Sequence, residues 1–247
     1  MRVLVALALG LVAAALTPAA ASDPPSMPSA AASDLGAAYQ AYDANDLDGA
    51  RAHLGKLADA SLENRDYLLW LRGMVALRSG QPTEAGRAFD ELAKLRSPRF
   101  SREVPWRLAD VKWARGDRAG AAKAYEKLIA AKGAGNVGDV GTAKFRIAET
   151  RRGQPAITAY RRVVIEHPAH PLADRAAQRL AELGARPLSI ADRLERAKQL
   201  TAAHLWDEAV AELAALPAKL PRAQARARDY WLGKTLFKMR RRYGDAA

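Results

Sequence analysis

The sequence predicts an all-α protein, an α-α superhelix in which helix–turn–helix units stack into a solenoid. Three observations point there. An alanine recurs at Ala50, Ala85, Ala121, Ala156, Ala209 and Ala246, with gaps of 35, 36, 35, 53 and 37 residues. A fixed period in the mid-thirties marks stacked helical pairs. Each alanine up to Ala209 is followed four residues later by a bulky apolar side chain and seven residues later by an aliphatic one, all on one helical face.

The repeated columns define both helices of a unit. The residues four after the alanine are Leu54, Phe89, Tyr125, Tyr160 and Leu213, and those seven after it are Leu57, Leu92, Leu128, Val163 and Leu216. Twelve before it stand the small residues Ala38, Gly73, Ala109 and Ala197, with Lys144 and Lys234 as exceptions. Fifteen before it stand Leu35, Trp70, Trp106, Leu194 and Trp231, with Gly141 breaking the column. A small residue on each helix lets the two backbones approach, and the Trp or Leu one turn earlier covers the remaining apolar face. Turn formers separate the helices at Asn45-Asp46, Gly80-Gln81-Pro82 and Gly116-Asp117. Proline closes second helices at Pro98, Pro168 and Pro221. In the fourth unit the turn Gly153-Gln154-Pro155 lies two residues closer to its alanine.

Ahead of the repeats, Arg2 precedes an uncharged apolar run over 3–16, and Ala19-Ala20-Ala21 offers a small-residue cleavage site. This pattern predicts a signal peptide over 1–21, cleaved near Ala21, and a periplasmic mature protein. The run is shorter than the ~20 residues that cross a bilayer, so stable membrane insertion is not expected. No cysteine follows it to carry a lipid. Residues 22–33, rich in Pro, Ser and Ala, read as a disordered leader. Repeats one to four occupy 34–168. The 53-residue gap is explained by an inserted helix and linker over 169–187, with Leu172, Ala176, Ala177, Leu180 and Leu183 as its apolar residues. Repeats five and six occupy 188–247, the last incomplete.

The chain contains no cysteine, which excludes disulfides, thiol catalysis and thiolate metal sites. The formal charge is +12, and loss of Arg2 with the signal leaves +11. Export argues against nucleic acid as the partner, leaving the cell-wall polymer and anionic lipids as available polyanions. Basic residues gather late, from Arg222 through Lys234 to Arg242; a solvated helix face accounts for that cluster.

Candidate chemistry does not assemble. Gly133-Ala-Gly135-Asn-Val-Gly138 matches a dinucleotide fingerprint but follows a helix rather than a strand, so it reads as a linker. His167 and His170 lack a third ligand nearby for catalytic zinc, and His53 and His204 are isolated. Asp90 and Glu91 are adjacent and point apart on a helix, while Asp207 and Glu208 favour the start of one. No cofactor and no catalytic residue are expected.

The C-terminal segment adds a resemblance. Ala159-Tyr-Arg-Arg-Val-Val-Ile-Glu-His-Pro168 is followed by Leu194-Glu-Arg-Ala197, Trp206-Asp-Glu-Ala209, Val210-Ala-Glu-Leu213 and Asp229-Tyr-Trp-Leu-Gly-Lys234. Together they resemble the tetratricopeptide-like superhelix of soluble lytic murein transglycosylases. That family carries a separate lysozyme-like domain with a catalytic glutamate, and no matching Glu-Ser pair occurs here. The resemblance therefore implies an exported, noncatalytic scaffold: the support module of a peptidoglycan lytic transglycosylase, or a truncated relative. Its partner would be peptidoglycan or a cell-envelope protein. The alternative is a protein–protein adaptor of a periplasmic assembly complex. Ala246 falls where a sixth second helix should begin, which suggests a longer parent protein.

Overall fold

The repeat spacing sets the architecture helix by helix. In a computed structural model, residues 30–57, 62–131 and 139–239 are described. Among them lie twelve helices and no strand: α1 Ala30–Asp43, α2 Leu47–Gly55, α3 Arg65–Arg78, α4 Pro82–Lys94, α5 Val104–Ala114, α6 Arg118–Ala130, α7 Val140–Glu149, α8 Gly153–Glu166, α9 Ala173–Glu182, α10 Ile190–Ala202, α11 Trp206–Ala214 and α12 Arg222–Met239. Neighbouring helices pack pairwise along the chain, giving an all-α helical-repeat solenoid.

The alanine column sets the helix boundaries. In each of the five units with a described alanine, the first helix ends seven residues before it, at Asp43, Arg78, Ala114, Glu149 and Ala202. The second helix begins three residues before it, at Leu47, Pro82, Arg118, Gly153 and Trp206. Ala50, Ala85, Ala121, Ala156 and Ala209 are all buried, as are the bulky residues four positions later. Ala246 lies outside the described residues.

Four of the turns share one device. Asn45, Gly80, Gly116 and His204, each five residues before the alanine, adopt positive φ. That left-handed residue reverses the chain, and Asp46 and Asp117 then cap α2 and α6 by accepting from Gly49 N and Gly120 N at 2.9 Å. The fourth unit moves the left-handed residue to Gly153 (φ 57), three before its alanine. The early turn in the sequence is thus a different loop between helices whose ends keep the common register.

The gap in the outer column has a physical reason too. A Cβ on Gly141 would meet the His170 ring 2.5 Å away. An imidazole from the loop after α8 occupies the space that Trp or Leu fills elsewhere. Trp106 is buried against Tyr125. Trp70 and Trp231 are partly buried, the latter beside Ala197, Leu213 and Leu216.

The long gap is structural. α9 packs on α8, and α10 also packs on α8, as other first helices pack on the second helix before them. α9 is therefore an extra helix outside the alternation. It is shorter than its sequence pattern: Ala173, Ala176 and Leu180 are buried, whereas Ala177 and Leu183 are exposed. α1 begins at Ala30, so the last four residues assigned to the leader are helical. The rest of 22–33 and the whole of 1–21 lie outside the described residues.

Candidate functional site

Residues with possible chemistry are placed in structural roles. His53 Nδ1 lies 2.9 Å from Asp34 Oδ1, tying α2 to α1. That hydrogen bond, with Lys56 nearby, holds the Asp34 carboxyl below its usual range. His170 Nδ1 accepts from Leu172 N at 3.1 Å, which leaves Nε2–H to donate to Asp139 Oδ1 at 3.0 Å. Asp139 in turn caps α7 by accepting from Thr142 N and its hydroxyl. Burial pushes the Asp139 carboxyl up, but these donors and His170 outweigh it and lower the pKa. His167 is half-buried with its Nε2 unpartnered, and burial depresses its pKa. Asp90, Glu91, Asp207 and Glu208 are exposed. Among the described residues no three His, Cys, Asp or Glu side chains converge as a metal site. The glycine-rich segment 133–138 falls outside the described residues.

What the structure does assemble is a row of rings running from α1 over α3 to the turn after α4. Tyr39 and Tyr67 have centroids 5.9 Å apart, Tyr67 stacks on Trp70 at 5.9 Å, and Trp70 stacks on Phe100 at 5.6 Å. Tyr42 meets Trp70 edge-on at 6.1 Å. Cations flank the row: Arg78 lies 4.7 Å from the Tyr42 ring and Arg99 6.0 Å from Phe100. Beside it opens a groove of ≈ 640 Å³ lined by Leu35, Tyr39, Leu62, Glu63, Tyr67 and Arg99, among others. Tyr39 remains 40% exposed, so one ring at the groove is free to meet a ligand. Burial raises the Tyr67 hydroxyl, with Tyr39 adding to the shift.

Of this row the repeat columns contain only Trp70. Tyr39, Tyr67 and Phe100 sit between columns, where period counting does not look. Their trace in the sequence is the crowding of Tyr39, Tyr42, Tyr67, Trp70, Phe89 and Phe100 into the first two units.

The arginines divide into two groups. Many hold units together. Arg72 donates to Leu54 O and Leu57 O at the end of α2, at 3.3 and 2.8 Å. Arg78 reaches back to Asn45 Oδ1 at 2.5 Å, Arg115 to Thr83 O at 3.3 Å, and Arg151 to Glu126 Oε1 at 2.8 Å. Arg193 closes the end of α11 through Glu212 O and Ala215 O, both at 3.1 Å. Helix ends leave such carbonyls without intrahelical partners, and a guanidinium with five donors suits them. A polar knot joins α5, α6 and α7: Asp110 Oδ1 accepts from Tyr125 Oη at 2.7 Å and Arg146 at 2.6 Å, and Arg146 also contacts the Tyr125 hydroxyl. Burial, then the Asp110 charge, pushes the Tyr125 hydroxyl far up. Much of the basicity is therefore internal bracing.

The second group is exposed and unpaired. Arg87, Lys94, Lys123, Lys127 and Arg162 are exposed on second helices, and among the described residues no hydrogen bond or ion pair engages them.

No protein-family model, no curated protein and no solved structure matches this sequence.

Proposed function

We propose that the chain is an exported, noncatalytic helical-repeat scaffold that binds peptidoglycan, in the manner of the superhelical support of a lytic transglycosylase. The observation that carries this reading is the aromatic row beside the open groove of α1 and α3. Flat ring faces accept the C–H faces of sugars, while Arg99, Glu63 and Asn64 supply polar contacts at the groove for hydroxyl and acetamido groups. The N-terminal export pattern supports the compartment, and the absence of an acid–base constellation in the sequence supports a supporting role.

Retention on purified sacculi tests the reading. The purified chain is expected to sediment with sacculi, and Tyr39→Ala with Tyr67→Ala is expected to reduce that fraction several-fold. Absence of retention at low salt, where charge attraction is strongest, refutes it. Muropeptide release by this chain is expected to be nil.

The second reading, an adaptor for an envelope protein, draws on a different face. Its support is the pair of apolar-floored grooves between second helices, next to the unpaired cations.

A further inference from the structure

Two grooves recur at equivalent seams of the solenoid. The first, ≈ 330 Å³, lies between α2 and α4 over α3, with Leu54, Leu69, Val75 and Ala88 on its apolar floor. The second, ≈ 210 Å³, lies between α6 and α8 over α7, with Ile129, Ile147 and Ala159. Ala88 and Ala159 each stand three residues after their repeat alanine, so the same backbone register builds both floors. At the seam between them the Arg115 guanidinium lies over Gly86, where an added Cβ would meet Nη2 at 2.3 Å.

The charge on this face is uneven. Arg87 lines the first groove and Arg162 the second. Lys123 and Lys127 lie on α6 between them, two and six residues after Ala121, and Lys94 continues the row on α4. Against these unpaired cations stand the free carboxylates of Glu84 and Asp90. Glu91 and Glu126 are already engaged, by Arg65 at 3.6 Å and Arg151 at 2.8 Å. Arg87 shares the first groove with Glu84, and the positive surplus lies at the second groove and along α6 between them.

We infer that the second-helix face of units one to four binds an acidic amphipathic peptide segment of a partner protein. Its apolar side chains occupy the two seam grooves, and its carboxylates meet Arg87, Lys123, Lys127 and Arg162. Charge complementarity selects the acidic character, and the apolar floors select a peptide over a bare polyanion, which has nothing to place there. Two units separate the grooves along the solenoid. The inference rests on the adaptor reading; it shares α3 with the aromatic groove, through Leu69 and Val75, but none of that groove's lining residues, so a failure on sacculi leaves it standing and the reverse also holds.

Fluorescence anisotropy with two labelled probes tests it: a Leu-Glu-Ser-Glu repeat peptide and a Ser-Glu repeat peptide matched in charge. The leucine-bearing probe is expected to bind the purified chain at least about tenfold more tightly, since burial of even one leucine is worth about 1.5–3 kcal/mol. The exposed, unpaired Arg87 and Arg162 make Arg87→Glu with Arg162→Glu safe for folding, which circular dichroism checks. That double variant is expected to weaken binding at least about tenfold, mainly through slower association. Equal binding of the two probes means polyelectrolyte attraction alone and overturns the inference. So does unchanged binding by a folded double variant.

Discussion

Adding one methyl group at Gly73 tests the packing of the solenoid most directly. Gly73 lies on α3 in the small-residue column, twelve before Ala85. A Cβ there would meet Phe89 Cε1 at 2.5 Å, Cζ at 2.6 Å and Cδ1 at 2.8 Å. Ordinary contact is about 3.5–4 Å, so the ring must retreat by about 1 Å. It has nowhere to go, because Phe89 is fully buried among Ala85, Leu92, Val111 and Val104. Overpacking of this kind costs about 1–3 kcal/mol, while replacing a mid-helix glycine by alanine returns about 1 kcal/mol. Gly36 on α1 supplies the reference: nothing lies within 4 Å of its added Cβ. Gly36→Ala is expected to stabilise by about 1 kcal/mol, and Gly73→Ala to fall below it by about 1–3 kcal/mol. The helix term cancels in that difference, leaving the ring contact. Urea unfolding followed by circular dichroism measures both. In a Phe89→Leu background the penalty of Gly73→Ala is expected to shrink, which assigns the clash to the ring. A Gly73→Ala variant at least as stable as Gly36→Ala would falsify close approach at this column.

Other expectations follow from the same geometry. Ala121→Leu, at a fully buried site beside Trp106, Ala109 and Tyr125, is expected to cost about 1–3 kcal/mol in urea unfolding. Asp110→Ala removes the acceptor shared by Tyr125 and Arg146 and is expected to cost about 2 kcal/mol, the scale of charged hydrogen bonds. His167 has a folded pKa below 6.5 because burial disfavours its charged form. The unfolded chain therefore binds the proton first, and stability declines as pH falls below about 6.5. Titrated thermal melts are expected to lose that part of the decline in His167→Leu. Gly86→Ala displaces the end of the Arg115 side chain and leaves the new Cβ 3.3 Å from Val111 Cγ1, so the change is expected to be less destabilising in an Arg115→Ala background than in the parent chain, read by the same melts.

How far the sequence discloses this molecule follows from what a repeat is. Positions that meet the neighbouring helix in every unit are under the same steric demand, so Ala50, Ala85, Ala121, Ala156 and Ala209 recur and are buried together. Helix ends follow because the turn must fit the same distance each time. The demand is on shape and leaves residue identity open, as His204 shows by taking the left-handed place that Gly80 and Gly116 take elsewhere. The exceptions are legible only in three dimensions. Gly141 looks like a break until His170, contributed from a loop 29 residues later, fills its space. The extra helix α9 shows as a lengthened gap, but which of its residues are buried depends on the angle at which it meets α8.

A ligand meets what the packing columns leave over. Core positions repeat because they serve the neighbour, so they carry little information about a partner. Tyr39, Tyr67, Arg87 and Arg162 serve no column. The same distinction sorts the basic residues. Arg72 and Arg193 hold helix-end carbonyls that the fold itself needs satisfied, and Arg115 braces the first turn of α4, and their charge is largely committed. Arg87, Lys123, Lys127 and Arg162 have no such task, and exposed like charges gain nothing from one another. These free cations are available to an external counterpart, and the two seam grooves beside them give it apolar footholds. Net charge alone placed the attraction anywhere on the chain. Subtracting the bracing arginines leaves one such row on the second helices of units two to four, where two charge substitutions suffice to test it.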